Sequence, residues 1–275
     1  MANAWLIWWL FLCATSVFNV AVWIASARTI GRRGAQVPAD DYAMRRQLLW
    51  LSAGYVLGCS FRSFLPMLDV PRLCLHDTFL SRIFIGRSVA TIAELCFVAQ
   101  WRLLLREAGS VTGDRFATLV SHTLVPLIVV AEVLSWGAVL TANYLLHTVE
   151  NSLWTLGAAV ALAAFVSLRS SLDAGGRGFV AAAIICCLMY LAFMVSVDVP
   201  MWLARWRTDL AASQANLPRL EGLRTALQRC MVVREWAAWS KDVPWLSLYF
   251  TVAVWISIGL AHAPPLRRGA HSTRA

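Results

Sequence analysis

Runs of about 20 mostly apolar residues recur seven times along this chain, near 4–27, 48–67, 84–104, 119–142, 148–168, 178–202 and 244–261. At 1.5 Å of rise per residue, a helical run of that length matches the ~30 Å hydrocarbon core of a bilayer. A soluble domain of 275 residues with 59% hydrophobic and only 14% charged residues would lack polar surface. The expected fold is therefore all-α: a polytopic bundle of about seven transmembrane helices forming one domain, 1–275. The third run carries the most polar residues of the seven.

Run 4–27 ends in Ala25-Ser26-Ala27, which resembles a signal-peptide cleavage site. The run is too long for an h-region, and its basic residues follow rather than precede it, so a retained first span is expected. Thirteen arginines fall in the segments on one side of the bundle, against Arg72 and Arg82 on the other. By the positive-inside rule this places the N-terminus outside and the C-terminus inside, in a bacterial-type inner membrane. The net charge of +9 is thereby read as topology, and nucleic acid is excluded as a partner because no basic–aromatic module occurs.

Segment 203–243 departs from the rule, with six arginines and the single lysine, Lys241, on the outer side. Leu220, Leu223, Leu227, Cys230 and Met231 recur there at helical spacing. They predict an amphipathic helix, lying on the outer surface, packed over the bundle, or extending the last two spans. Residues 262–275 read as a flexible basic tail. Trp5, Trp8, Trp9, Trp202, Trp206, Trp236, Trp239 and Trp245 read as an outer aromatic belt. The motif D-V-P recurs at 69–71, 198–200 and 242–244; proline suits a first helical turn, with aspartate as a local cap. Of seven cysteines, five fall within apolar runs as small core residues. Cys74 and Cys230 fall outside them, on the side where disulfides persist, and are expected to pair.

Ionisable residues inside spans mark function by default. They are Arg62, Arg87, Glu94, His122, Glu132, His147, Glu150 and Asp198. All but His122 fall between the midplane and the outer surface, where they would line a polar cavity. His147, Glu150 and Asn151 share one helix face at i, i+3 and i+4. Arg87 and Glu94 lie about 10 Å apart along their axis, so each is expected to pair with another helix. Imidazole and carboxylate are ligands for zinc or iron. The expected metal ligands are His76, His147, Glu150 and Asp198, with Glu94 or Glu132 as general base and Arg62, Arg87 and Asn151 binding substrate. Besides the lipid bilayer, the partner expected is a lipid-like or small-molecule substrate, and the expected function is a metal-dependent membrane enzyme. A proton-coupled carrier using Glu94, Glu132 and Asp198 is the second expectation. A sensor or assembly partner whose charges are structural is the third. A retinal protein is disfavoured because Lys241 precedes Pro244 rather than lying within the last span.

Overall fold

The computed structural model describes residues 3–36, 38–228 and 230–269. The element order is α1 (Ala4–Arg33), α2 (Ala39–Phe64), β1 (Met67–Leu68), β2 (Leu73–Cys74), a 3-10 turn Phe79–Ser81, α3 (Ile83–Thr112), α4 (Arg115–Thr141) and α5 (Tyr144–Leu168). Then follow α6 (Ala174–Phe193), a π-helical turn Met194–Asp198, α7 (Val199–Ala211), α8 (Arg219–Leu227), β3 (Met231–Val232), α9 (Trp236–Trp239), α10 (Val243–Phe250) and α11 (Val252–Leu260). Arg229, His271 and Arg274 lie outside the described residues.

Six helical stretches among the described residues are long and apolar enough to cross a membrane: α1, α3, α4, α5, the continuous Ala174–Ala211, and Val243–Leu260. The chain is thus a helical protein of membrane-spanning type. The long helix that falls short is α2, not the third run. Asp40 and Asp41 stand in its first turn and Arg62 in its last. Its buried residues include the small Ser52, Ala53, Gly58, Ser60 and Ser63 beside the larger Leu48, Leu49, Tyr55 and Val56. A Cβ on Gly54 would meet Cys96 Sγ at 2.6 Å, and one on Gly58 would meet Ala93 Cβ at 2.7 Å. Small residues let backbones approach closely, which is how helices associate without a hydrophobic drive between them. The low hydropathy of α2 is therefore a packing property.

The chain divides into two compact units. The first comprises Met1–Phe97, Trp136–Asn143 and Ala215–Ala261. Here α2 packs against α1 and α11, and Trp8, Leu12, Tyr55, Trp239, Phe250 and Val254 share a core. At Thr251 the last helix breaks between α10 and α11. A freed carbonyl inside a membrane needs a donor, and buried Asn19 supplies it: Nδ2 donates to the Phe250 carbonyl at 2.9 Å, while Oδ1 accepts from Trp255 Nε1 at 2.7 Å. One end of this unit carries a three-stranded cap in the order β1-β2-β3. β1 and β2 are antiparallel, β2 and β3 parallel, with Leu73 opposite Met231 and Cys74 opposite Val232. The expected Cys74–Cys230 disulfide is present and staples β2 to β3.

The second unit comprises Val98–Ser135, Tyr144–Gln214 and His262–Ala275. Gly113, at φ 75°, ends α3 in the left-handed region that glycine tolerates. Asp114 then caps α4, accepting the Ala117 N–H at 3.0 Å. Pro126 lies inside α4, which continues past it. α4 and α5 run antiparallel, with Gly157 against Leu124, Leu127 and Ile128. Part of the basic tail is held: the Arg267 carbonyl accepts the Asp173 N–H, and the Gly269 N–H donates to the Ser171 carbonyl, both at 2.9 Å. Residues 270–275 lie outside the described residues.

Two expectations about local roles are corrected. Trp8, Trp202 and Trp239 are buried core residues rather than belt anchors: Trp8 packs on Trp239, and Trp202 packs on Tyr144 and His147. In D-V-P, Pro200 and Pro244 do occupy first helical turns, yet neither Asp198 nor Asp242 makes a side-chain cap.

Candidate functional site

The intramembrane charges of the first unit close on themselves. Arg87, on α3, reaches two turns down its own helix, and its Nη2 donates to Glu94 Oε2 at 2.7 Å. This corrects the expectation from axial spacing: the arginine side chain is long enough to cover the rise. The other Glu94 oxygen accepts from the Tyr249 hydroxyl, on α10, at 3.0 Å. Arg87 Nη1 also lies 3.6 Å from Asp69, and Arg62 Nη2 lies 3.7 Å from the same carboxylate. Arg62 further donates to the Met67 carbonyl at 3.0 Å. Thr91 accepts from Trp136 Nε1 at 3.2 Å on the same face. The result is a buried set of two cations and two anions spanning α2, the β1–β2 turn, α3 and α10.

Asp69 and Tyr249 were not legible as site residues. Asp69 reads as a loop cap, and Tyr249 reads as one more aromatic in an apolar run. No charge imbalance pointed to Asp69, since Glu94, Glu132, Glu150 and Asp198 already outnumber Arg62 and Arg87.

His76 lies in the cap, half-buried, with its ring 4.8 Å from that of Trp9. Burial, and next the Arg234 charge, hold its pKa below the usual histidine value.

The second unit holds the other ionisable group. His147 and Glu150 are both buried on the first turns of α5. Glu150 Oε2 meets His147 Nδ1 at 2.7 Å. A carboxylate offers only lone pairs, so Nδ1 carries the proton and Nε2 is the remaining site on the ring. His147 is only 4% exposed, and its Nε2 has no hydrogen-bond partner among the described residues. The ring packs on Trp202, 4.7 Å between centroids, and the Arg205 guanidinium lies 4.7 Å from the same indole. Across the antiparallel α4–α5 pair, an oxygen of Glu132 comes within 4.8 Å of one of Glu150. Two carboxylates that close in an apolar interior need a proton or a cation between them.

Asp198 is buried on the π-helical turn, which packs against α5. The Asn151 amide donates to the His147 carbonyl at 3.0 Å. His122 is exposed and its Nδ1 sits 2.8 Å from the Thr118 carbonyl, a helix-surface contact. Of the expected ligands, the structure thus brings His147 and Glu150 into direct contact, adds Glu132 to them, and leaves His76 in the cap of the other unit.

No family model, no curated protein and no solved structure matches this chain. The functional reading rests on these residues alone.

Proposed function

We propose that this chain is a seven-span membrane enzyme of the metal-dependent hydrolase type, acting on a lipid-like or amphiphilic substrate. The observation that carries the reading is the buried His147 ring, with Nδ1 fixed by Glu150 and Nε2 unpartnered. A carboxylate on one ring nitrogen and an open lone pair on the other is the arrangement that orients histidine for a metal. Zinc or iron held at His147 Nε2, with Glu150 orienting the ring from Nδ1, would supply a polarised water. Glu132, within 4.8 Å of the Glu150 carboxylate, is in reach of such a water as general base. Asp198, on the turn packed against α5, is the further ligand candidate in this unit. Arg62, Asp69, Arg87 and Glu94 serve as a lock that fixes helix register in the first unit.

The same orientation proposed from the arginine distribution is supported by the cap. Oxidised Cys74–Cys230 belongs in a compartment where disulfides persist. Trp9, from the first turns of α1, donates to the Phe64 carbonyl at the same end. Both support an N-terminus on the outer side.

A second reading follows from the paired carboxylates. A proton in place of the metal would make His147, Glu150 and Glu132 the relay of a proton-coupled carrier. Metal analysis of the purified protein separates the two. The enzyme reading expects close to one zinc or iron per chain, lost in His147→Ala with helix content and elution unchanged. Metal-free wild-type protein, prepared with both metals present, would sink it. Proton release upon Glu132→Gln-sensitive transport would then support the carrier.

A further inference from the structure

The nine residues of α8, about 13 Å of helix, are too short to cross a bilayer. Their burial is inverted relative to the usual amphipathic helix. The face turned to the protein has no large side chain: Gly222 and Ala226 are its buried residues. A Cβ on Gly222 would collide with the Leu140 carbonyl at the end of α4. The position is pinned by polar contacts. Arg72 donates to Thr225 Oγ1, to the Val139 carbonyl at 2.7 Å and to the Gly222 carbonyl at 3.4 Å. The Leu217 N–H donates to the Thr141 carbonyl at 2.9 Å.

Of the readings open for this stripe, packing over the bundle is not the one its leucines adopt, since they face out. Leu220 is 82% exposed, and Leu223 and Leu227 are exposed beside it. At about 100° per residue these three fall within roughly a 60° arc, with Arg219 on one flank and Arg224 on the other. The helix rests on the final turn of α4, a helix long and apolar enough to cross a membrane. The end of such a helix is the level of the lipid headgroups.

From this we infer that α8 is an interfacial anchor, whose leucines enter the acyl boundary while Arg219 and Arg224 bind headgroup phosphates. The occupant of the exposed face is phospholipid of the protein's own bilayer. Two observations select lipid: the depth set by Thr141 and the arginines flanking the stripe. Short helices with an apolar face and flanking cations lie in the interface plane in this way.

The test uses the full chain in vesicles of phosphatidylethanolamine and phosphatidylglycerol. A nitroxide on an unnatural amino acid replaces Leu223 in one sample and Glu221 in another. A third label replaces Val133, an exposed residue within α4. Collision with oxygen reports the acyl phase, and collision with a nickel chelate reports water. The oxygen-to-nickel ratio at position 223 should exceed that at 221 several-fold and approach that at 133. Equal ratios at 223 and 221, with a high ratio at 133, would overturn the anchor while leaving the membrane reading intact. A label at 223 shielded from both agents and dipolar-broadened by a neighbouring chain would overturn it in favour of a second copy. A low ratio at 133 would instead remove the membrane placement of α4, and the anchor with it.

Discussion

At the scale of single residues, the two units treat charge differently. Arg62, Asp69, Arg87 and Glu94 pair their charges with one another, so removing one partner leaves an uncompensated buried charge, typically costing about 3–5 kcal/mol. His147 instead keeps one nitrogen unused. The difference predicts opposite outcomes. Glu94→Gln should lower the thermal midpoint and the yield of folded protein while sparing bound metal, whereas His147→Ala should remove bound metal. A Glu94→Gln protein as stable as wild type would discard the lock. His76 gives a pH signature outside the spans. Its folded pKa lies below the unfolded value of 6.5 because burial and then Arg234 disfavour the imidazolium. The unfolded chain therefore binds more protons, and stability falls with falling pH. The contribution is fully present above pH 6.5 and lost as pH drops through the depressed folded pKa. Melts of wild type and His76→Gln at stepped pH should diverge below 6.5, the wild type losing more. Parallel curves would exclude the contribution.

At the scale of elements, the glycines of this protein act by position. Alanine is favoured over glycine inside a helix by about 1 kcal/mol where space allows. Gly178 in α6 has nothing within 4 Å of an added Cβ, whereas one at Gly222 in α8 strikes main chain. Gly178→Ala should thus hold or raise the thermal midpoint. Gly222→Ala should lower it, by about 1–3 kcal/mol of stability, because backbone rather than a flexible side chain must move. Equal effects in calorimetry of the two purified variants would contradict the packing of α8 on α4. The same logic explains α2, whose glycines and serines lower its hydropathy while allowing close approach to α3. Apolar content identifies helices that face lipid better than helices that face other helices.

At the scale of the whole molecule, the cap disulfide tests orientation. Cys74 and Cys230 are 156 residues apart, and a crosslink closing so long a loop typically contributes about 2–4 kcal/mol. With the cap outside, a membrane-impermeant phosphine added to intact cells should free both thiols for alkylation and lower the thermal midpoint. Reduction only after lysis would place the cap, and the N-terminus with it, inside. Restoration of the midpoint on reoxidation would tie the loss to this bond rather than to the five free cysteines.

Six of the seven expected runs correspond to helices long and apolar enough to cross a membrane, and the run near 48–67 is helical but falls short of that, because helix formation satisfies the backbone of an apolar run in lipid. The Cys74–Cys230 pairing was also readable, since these were the two cysteines outside those runs. His147 and Glu150 met as their i, i+3 spacing required. These are local quantities: composition, length and position along one helix. What the tertiary structure alone decided was which element lies across from which. Glu132 approaches Glu150 through the antiparallel register of α4 and α5. Tyr249 reaches Glu94 because α10 packs beside α3. Asp69 serves two arginines because the β1–β2 turn folds back over α2. The leucines of α8 face outward because Gly222 leaves room only for main chain against Leu140. Periodicity specifies that a helix has two faces, but the choice of which face meets protein belongs to the neighbour's shape.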